Sequence, residues 1–226
     1  MIKAVIFDYG GTLAKTNTPW NIVSERIAAR LELDDIHVEP VELEKAIKET
    51  ISYRAEQHRL GLELDSYQFF NHALGNLGQT ATVEITDELE RYVYEETTTE
   101  FAEGLDELLN ELSNDYKIAL LSNSWLEAPR QTLRDHGYGR WFDVLLCSFD
   151  IGIPKPDPRI FRHILDLLMV EPSEAVMVGD SLKADVEGAI GAGLHAVLIG
   201  DDSPEWIGPR ISEVKALPVV LREMNV

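Results

Sequence analysis

The sequence predicts an α/β protein with a doubly wound parallel sheet and an inserted α-helical domain. Five short runs rich in Val, Ile and Leu are typical of strands that are buried on both faces. These runs cover residues 4–7, 118–121, 144–147, 175–178 and 196–199. Amphipathic helical patterns separate the last four runs, and this alternation of strand and helix favours a doubly wound sheet.

The helices of this sheet are predicted from apolar spacing and from the glycines that end two of them. They cover residues 126–136, closed by Gly137, residues 160–169, and residues 182–192, closed by Gly193. The first strand breaks the rhythm, because the second strand begins about 110 residues later. We therefore expect an insertion between these two strands.

The inserted segment has helical spacing throughout. Apolar residues recur at helical intervals over residues 22–31, 43–51 and 69–77, and Asp65 and Gly78 bracket the third helix. A fourth helix is expected to start near Thr86. We take residues 15–98 as an α-helical domain, and residues 1–14 and 99–226 as the α/β core domain.

Composition restricts the partners of the protein. The 226 residues include 20 basic and 40 acidic side chains, and the net charge of -20 repels nucleic acid and anionic membranes. Cys147 is the single cysteine, so no intrachain disulfide forms and a reducing compartment is expected. No apolar stretch approaches the ~20 residues of a membrane span, and the run at 4–7 is too short for a signal peptide. We expect a cytoplasmic monomer or homodimer.

Polar residues follow four of the predicted strands, where ligands bind in open α/β sheets. Asp8 follows the first strand, Ser122 the second, Lys155 the third, and Asp180 and Asp185 the fourth. Each has an ordinary explanation by itself, such as a helix N-cap or a solvated loop. Together they place three carboxylates, a hydroxyl and a lysine on one edge of one sheet.

This combination is suited to phosphoryl chemistry. Three carboxylates repel one another unless a divalent cation lies among them, and Mg²⁺ prefers such oxygen ligands. Lys155 and Ser122 can bind phosphoryl oxygens, and Gly10 and Gly11 let backbone N–H groups approach a phosphate closely. Asp8 can then attack the phosphorus and form an aspartyl phosphate that water hydrolyses. The expected substrate is a small phosphorylated molecule.

The four segments resemble, in order, the four motifs of the haloacid dehalogenase-like hydrolase superfamily. They are FDYGGTL, LLSNS, IPKPDPRIF and VGDSLKADVEGA. The resemblance implies that Asp8 is the nucleophile, that Ser122 binds phosphate, and that Lys155 steadies both phosphate and nucleophile. Asp180 and Asp185 would support the metal. The insertion after the first motif resembles the helical cap of the family's first subclass, which closes over the site and selects substrates.

The resemblance also implies two sets of binding residues. The expected substrate-binding set is Gly10, Gly11, Thr12, Ser122, Asn123 and Lys155, and the expected metal-binding set is Asp8, Gly10, Asp180 and Asp185. Gly10 departs from the family pattern, because phosphatases of the family carry there a second Asp that acts as general acid and base. Glycine retains the backbone carbonyl that ligates the metal but loses the proton transfer, which contributes about 10²- to 10⁴-fold in rate. We therefore expect a substrate with a good leaving group, such as an acyl or aryl phosphate, or a substitute acid such as Glu56 or His58.

Three other functions stay open on the sequence. Family haloacid dehalogenases also lack the second Asp and have Ser-Asn in their second motif, but they work without metal and lack the GDSxxxD pattern of Asp180 and Asp185. A phosphonate hydrolase would need a Schiff-base lysine, and Lys45 and Lys48 lie in a suitable helix that has the charge pattern of a solvated face. The third alternative is a regulatory protein that binds phosphate and has lost efficient catalysis.

Overall fold

A computed structural model describes residues 1–200 and 204–224. The chain divides into two compact units, one formed by Met1–Lys15 and Thr99–Val226 and the other by Thr16–Thr98. The expected domain boundary was one residue earlier, so Lys15 belongs to the first unit. We call the units the core unit and the helical unit.

The strands β1 to β8 follow chain order. They are Ala4–Phe7, Ala14–Asn17, Thr98–Phe101, Lys117–Ser122, Val144–Cys147, Ala175–Gly179, His195–Ile199 and Arg210–Ile211. Six of them form one sheet in the order β5-β4-β1-β6-β7-β8, and all of its pairs are parallel. The doubly wound α/β fold is therefore confirmed, with β1 at its centre.

The helices α1 to α9 are also numbered in chain order. They are Trp20–Leu31, Pro40–Arg59, Ser66–Gly75, Val83–Glu96, Leu105–Leu112, Ala128–Asp135, Pro158–Leu168, Gly188–Gly191 and Leu217–Met224. None of the helices in the described ranges is long and apolar enough to span a membrane.

The core sheet is covered on both faces, which explains why its strands are apolar runs and do not alternate with polar residues. Val5 and Phe7 of β1 belong to a cluster that includes leucines of α5 and α9. Ala4 and Ile6, which point to the other face, pack in a second cluster with residues of α7 and α8. These two clusters make three layers, and the carboxyl ends of the parallel strands lie at one edge.

The core helices differ from the expectation mainly at their starts. α7 begins two residues earlier, at Pro158, because proline suits the first helical position and Asp157 caps the N–H of Arg159. The segment after β6, expected to be one α-helix, is a π-helix over Leu182–Glu187 followed by the short α8.

The helical unit contains α1 to α4, and most positions of the predicted apolar spacing in α1 to α3 are buried, whereas Ile22 and Ile51 are exposed. Ile27 and Ile47 are examples of the buried positions, and Leu89 of α4 is also fully buried. Asp65 and Gln68 form a reciprocal capping box at the start of α3. α4 begins earlier than expected, because Thr82 caps the N–H of Ile85.

Candidate active site

The loop after β1 places Asp8 at the edge of the sheet. The N–H of Asp8 donates to Val178 O of β6 at 2.9 Å, which continues the strand pairing by one residue. The chain then turns tightly, because the N–H groups of Leu13 and Ala14 both donate to Tyr9 O. Gly11 has a φ of 74°, and a Cβ there would lie 2.2 Å from Oδ2 of Asp180. Only glycine allows this close approach.

The loop after β6 brings two carboxylates to the same edge. The N–H groups of Asp185 and Val186 both point to Ser181 O, at 3.0 and 3.3 Å, and this wide turn is the π-helix. Such turns are common at functional sites. Oδ2 of Asp185 accepts the N–H of Ser181 at 3.0 Å, which fixes the carboxylate. Asp180 is exposed, whereas Asp185 is fully buried.

Lys155 links these loops through its ammonium group. Nζ donates to Oδ1 of Asp8 at 2.7 Å, to Oδ1 of Asp185 at 2.6 Å and to Leu121 O at 2.7 Å. An ammonium has three donors, so all of them are used. Burial by itself would lower the pKa of Lys155, but the charges of Asp185 and Asp8 outweigh it and hold the pKa above its usual range. Lys155 is therefore a fixed, buried positive charge.

The surroundings of Asp8 disfavour its charged form, whereas those of Lys155 favour its charged form. Burial raises the pKa of Asp8 to about 6, because the attraction of Lys155 does not fully offset desolvation and the repulsion of Asp185. Oδ1 is bonded to Lys155, whereas Oδ2 has no hydrogen-bond partner within residues 1–200 and 204–224. Oδ2 of Asp8 therefore keeps its lone pairs available for a ligand or a substrate.

The three carboxylates fit a divalent cation. Asp8, Asp180 and Asp185 each offer one oxygen, and these oxygens lie within 4.8 Å of one another. Octahedral coordination of Mg²⁺ at 2.0–2.1 Å separates ligand oxygens by roughly 3 to 4 Å, so small side-chain movements suffice. Lys155 alone cannot neutralise three acids, and a cation among them would remove the remaining repulsion.

Comparison with known proteins identifies the family. The family of haloacid dehalogenase-like hydrolases matches residues 2–193. The chain belongs to this family. A mouse haloacid dehalogenase-like hydrolase domain-containing protein 3 is 29% identical to it over 90% of this chain and 84% of its own length. Mouse N-acylneuraminate-9-phosphatase is 30% identical over 55% of this chain and 53% of its own length. In fold, a 2-haloacid dehalogenase from Pseudomonas syringae covers 99% of both chains with a TM-score of 0.72 at 24% identity.

The chain is therefore a hydrolase, and its predicted site residues can be located in it. Lys155 is in direct contact with Asp8 and Asp185, and Asp180 has a carboxylate oxygen within 4.8 Å of those of the two other acids. Ser122 is buried at the end of β4, and its hydroxyl has no partner in the described part of the chain.

The remaining predicted residues of this hydrolase lie in the loop after β1 and in the loop after β4, and they differ in whether their polar groups already have hydrogen-bond partners. The N–H groups of Gly11 and Thr12 donate to Ala14 O and Tyr9 O, so they are already used within the turn. The N–H of Gly10 has no such partner among the described residues. The hydroxyl of Thr12 is buried and also lacks a partner there. The side chain of Asn123 is bonded to the backbone of Lys155.

Some contributors were not foreseen from the sequence. Leu121 acts through its carbonyl oxygen and Ser181 through its N–H, and such backbone contacts have no residue-type signal. In the helical unit, Nε2 of His58 lies 2.9 Å from Oε2 of Glu63, so this nitrogen is not free. Lys48 pairs with Glu44 and is 60% exposed, which agrees with a solvated helix face.

Proposed function

We propose that this protein is a Mg²⁺-dependent phosphatase that forms an aspartyl phosphate on Asp8 and acts on small organic phosphates with good leaving groups. The observation that carries the proposal is the placement of the Lys155 ammonium between Asp8 and Asp185, beside the exposed Asp180. A buried lysine with three converging carboxylates suits a phosphoryl group and a divalent cation better than a neutral substrate.

Asp8, Asp180 and Asp185 would hold the ion, and the backbone carbonyl of Gly10 is a further expected ligand. When bound, Mg²⁺ supplies positive charge for the phosphoryl oxygens in the transition state. The net charge of -20 makes this local reversal of sign necessary for any anionic substrate.

Asp8 would attack through the oxygen that is not bonded to Lys155. The new bond joins this oxygen to phosphorus, the bond from phosphorus to the leaving-group oxygen breaks, and its electron pair departs with that oxygen. Lys155 keeps the nucleophile ionised and oriented. Within the described residues, Ser122 Oγ and the N–H of Gly10 are donors without a partner, and both could bind phosphoryl oxygens. Water then attacks phosphorus, the bond from phosphorus to Asp8 breaks with its electron pair returning to the carboxylate, and the water protons leave with inorganic phosphate.

Gly10 determines which leaving groups are suitable. Glycine carries no carboxyl group that could protonate the leaving oxygen, and a Cβ built at Gly10 meets no atom of the described residues within 4 Å. The leaving oxygen must therefore depart as a stable anion, which acyl and aryl phosphates provide and alkyl phosphates do not. We expect hydrolysis of acetyl phosphate and p-nitrophenyl phosphate, and slow hydrolysis of simple alkyl phosphates.

The test is Gly10→Asp, with Gly10→Asn as a size-matched control. Gly10 has no positive φ and has open space around it, so both side chains fit. Rates are measured with acetyl, p-nitrophenyl and alkyl phosphates, with and without Mg²⁺. Gly10→Asp should accelerate alkyl phosphate hydrolysis by about 10²-fold or more, and acetyl phosphate hydrolysis far less.

Other outcomes discriminate the alternatives. If neither the wild type nor Gly10→Asp hydrolyses any of the phosphates, the phosphatase proposal is wrong. Halide release from a 2-haloacid without metal would favour a dehalogenase. A strong gain in Gly10→Asp over an inactive wild type would favour a phosphate-binding protein that has lost catalysis.

A further inference from the structure

The loop after β4, which contains Asn123, is bonded through one side chain to the loop after β5, which contains Lys155. Nδ2 of Asn123 donates to Lys155 O at 2.9 Å, and Oδ1 of Asn123 accepts the Lys155 N–H at 2.8 Å. The amide thus forms two hydrogen bonds with the peptide groups of one residue that is 32 positions away. This is the geometry of a clamp, because the two bonds fix both the position and the direction of the Lys155 backbone.

The sequence around Lys155 makes this clamp important. Lys155 lies between Pro154 and Pro156, and proline has no N–H. The N–H of Lys155 is therefore the only backbone donor of these three residues, and Asn123 is its partner. A second contact joins the same two loops, since the N–H of Ser124 donates to Oγ of Ser148 at 2.9 Å. Ser148 lies seven positions before Lys155 in the sequence.

The ammonium of Lys155 depends on this anchor. A lysine side chain is long and flexible, so three hydrogen bonds of 2.6 to 2.7 Å require a well-placed backbone. Lys155 is 2% exposed, which leaves the ammonium no alternative contact with bulk water. A shift of about 1 Å in a catalytic group can reduce a rate by about 10².

We infer that Asn123 is a positioning residue that holds Lys155 in place through its backbone, and that it does not act by binding substrate with its amide. The neighbouring Ser122 supports this distinction. Its hydroxyl has no partner within the described ranges, whereas one N–H and the oxygen of the Asn123 amide are both bonded to the backbone of Lys155. The inference rests on the proposed function for its catalytic consequence, and on hydrogen bonds for its structural part.

The catalytic test is a double-mutant cycle of Asn123→Ala and Lys155→Met, assayed with acetyl phosphate and Mg²⁺. Asn123→Ala should lower kcat by about 10- to 100-fold and change KM by less than about two-fold, because misplacement of Lys155 affects the transition state more than binding. In the Lys155→Met background the same substitution should have almost no further effect. The matched control is Ser124→Ala, whose hydroxyl bonds to the backbone of Leu126 in the same loop.

The inference is overturned if Asn123→Ala raises KM with kcat intact, or if its effect persists fully in the Lys155→Met background. Either result would assign the amide to the substrate. A circular dichroism melt of each variant shows whether a loss of activity reflects unfolding.

A second measurement does not need catalysis. Hydrogen exchange of the Lys155 N–H, followed by NMR, should be slow in the wild type and in Ser124→Ala and at least ten-fold faster in Asn123→Ala. Equal exchange in all three proteins overturns the inference whatever the activity. If the wild type hydrolyses no phosphate, the proposed function fails, and the exchange rates still decide whether the clamp exists.

Discussion

Two buried carboxylates of this protein, one in each unit, have opposite surroundings. Glu63 of the helical unit has a side chain that is 0% exposed, and Arg54 binds it through Nε and Nη2, both at 2.6 Å. His58 and the N–H of Leu64 supply two further contacts at 2.9 Å. Asp8 of the core unit is also buried, but it shares one lysine with Asp185 and lies near Asp180.

The difference lies in the balance of charge and donors. Each oxygen of Glu63 is bonded at least twice, and the Arg54 guanidinium stabilises its negative charge. The Asp8 cluster has more carboxylates than cations, one oxygen without a partner, and a pKa of about 6. Removal of one partner from a saturated cluster leaves a buried charge uncompensated, whereas an unsaturated cluster keeps capacity for a ligand. Substitutions in the two clusters should therefore have opposite consequences.

The largest effect is expected for Asp8→Asn. Loss of the nucleophile should lower phosphate hydrolysis by at least about 10⁴-fold. The same change should stabilise the protein without metal. The pKa of Asp8 is higher in the folded than in the unfolded chain, so its ionisation weakens the fold as pH rises through about 6. The Asn amide carries no charge, so Asp8→Asn should raise the free energy of unfolding by up to about 3 kcal/mol at pH values above 6.

Urea unfolding at pH 7.5 in EDTA measures the stability of Asp8→Asn. The control is Asp166→Asn, an exposed carboxylate on α7 that should change neither stability nor rate. A variant that is both inactive and less stable than the wild type would place Asp8 in the structural class with Glu63.

Glu63→Gln should give the converse result. The substitution removes the carboxylate that pairs with Arg54, whose side chain is only 17% exposed. Removal of one member of a buried pair costs about 3 kcal/mol or more. The urea midpoint should fall while kcat of the folded enzyme stays close to the wild-type value. Glu49→Gln, an exposed residue of α2, is the control, and equal midpoints for the two variants would contradict the assignment.

The comparison also indicates what a sequence can reveal. Five strands of the core sheet follow from their apolar runs, because burial on both faces leaves a clear composition signal. β8 has two residues and lacks this signal, and β2 and β3 are short and mostly polar, so none of the three was predicted. The π-helix after β6 was expected to be an α-helix, because the two differ by one residue in hydrogen-bond spacing and share their apolar periodicity at this length.

The site followed from residue type where side chains do the chemistry. Asp8, Lys155, Asp180 and Asp185 were all expected at one edge, and the structure brings them together. Contacts made by backbone atoms could not be predicted from the sequence. Asn123 was expected to bind substrate, and only coordinates reveal that its amide is bonded to the Lys155 peptide groups. The saturation of Glu63 was equally invisible, because Arg54 and His58 are ordinary residues of an amphipathic helix.

The affinity for Mg²⁺ should depend on pH in a way that sharpens the comparison. Asp8 must lose its proton to ligate the ion, and its pKa of about 6 means that it is mostly protonated below that pH. The dissociation constant should therefore rise by about ten-fold for each pH unit below 6 and change little above it. Isothermal titration calorimetry between pH 5 and 8 measures this, and a dissociation constant that does not change between pH 5 and 7 would mean that Asp8 is not a ligand.

The smallest effect is expected at Lys48, which belongs to neither cluster. Its pair with Glu44 is one helical turn apart and exposed, and such pairs contribute about 0.3 to 0.5 kcal/mol. Lys48→Ala should therefore lower the free energy of unfolding by no more than about 0.5 kcal/mol. It should also leave phosphate hydrolysis unchanged, because a solvated ammonium has no part in the proposed reaction. The substitution is informative for that reason, since a phosphonate hydrolase that used Lys48 as its Schiff-base amine would lose all activity. Lys45→Ala, measured in parallel on phosphate and phosphonate substrates, tests the other lysine of the same helix for the same role.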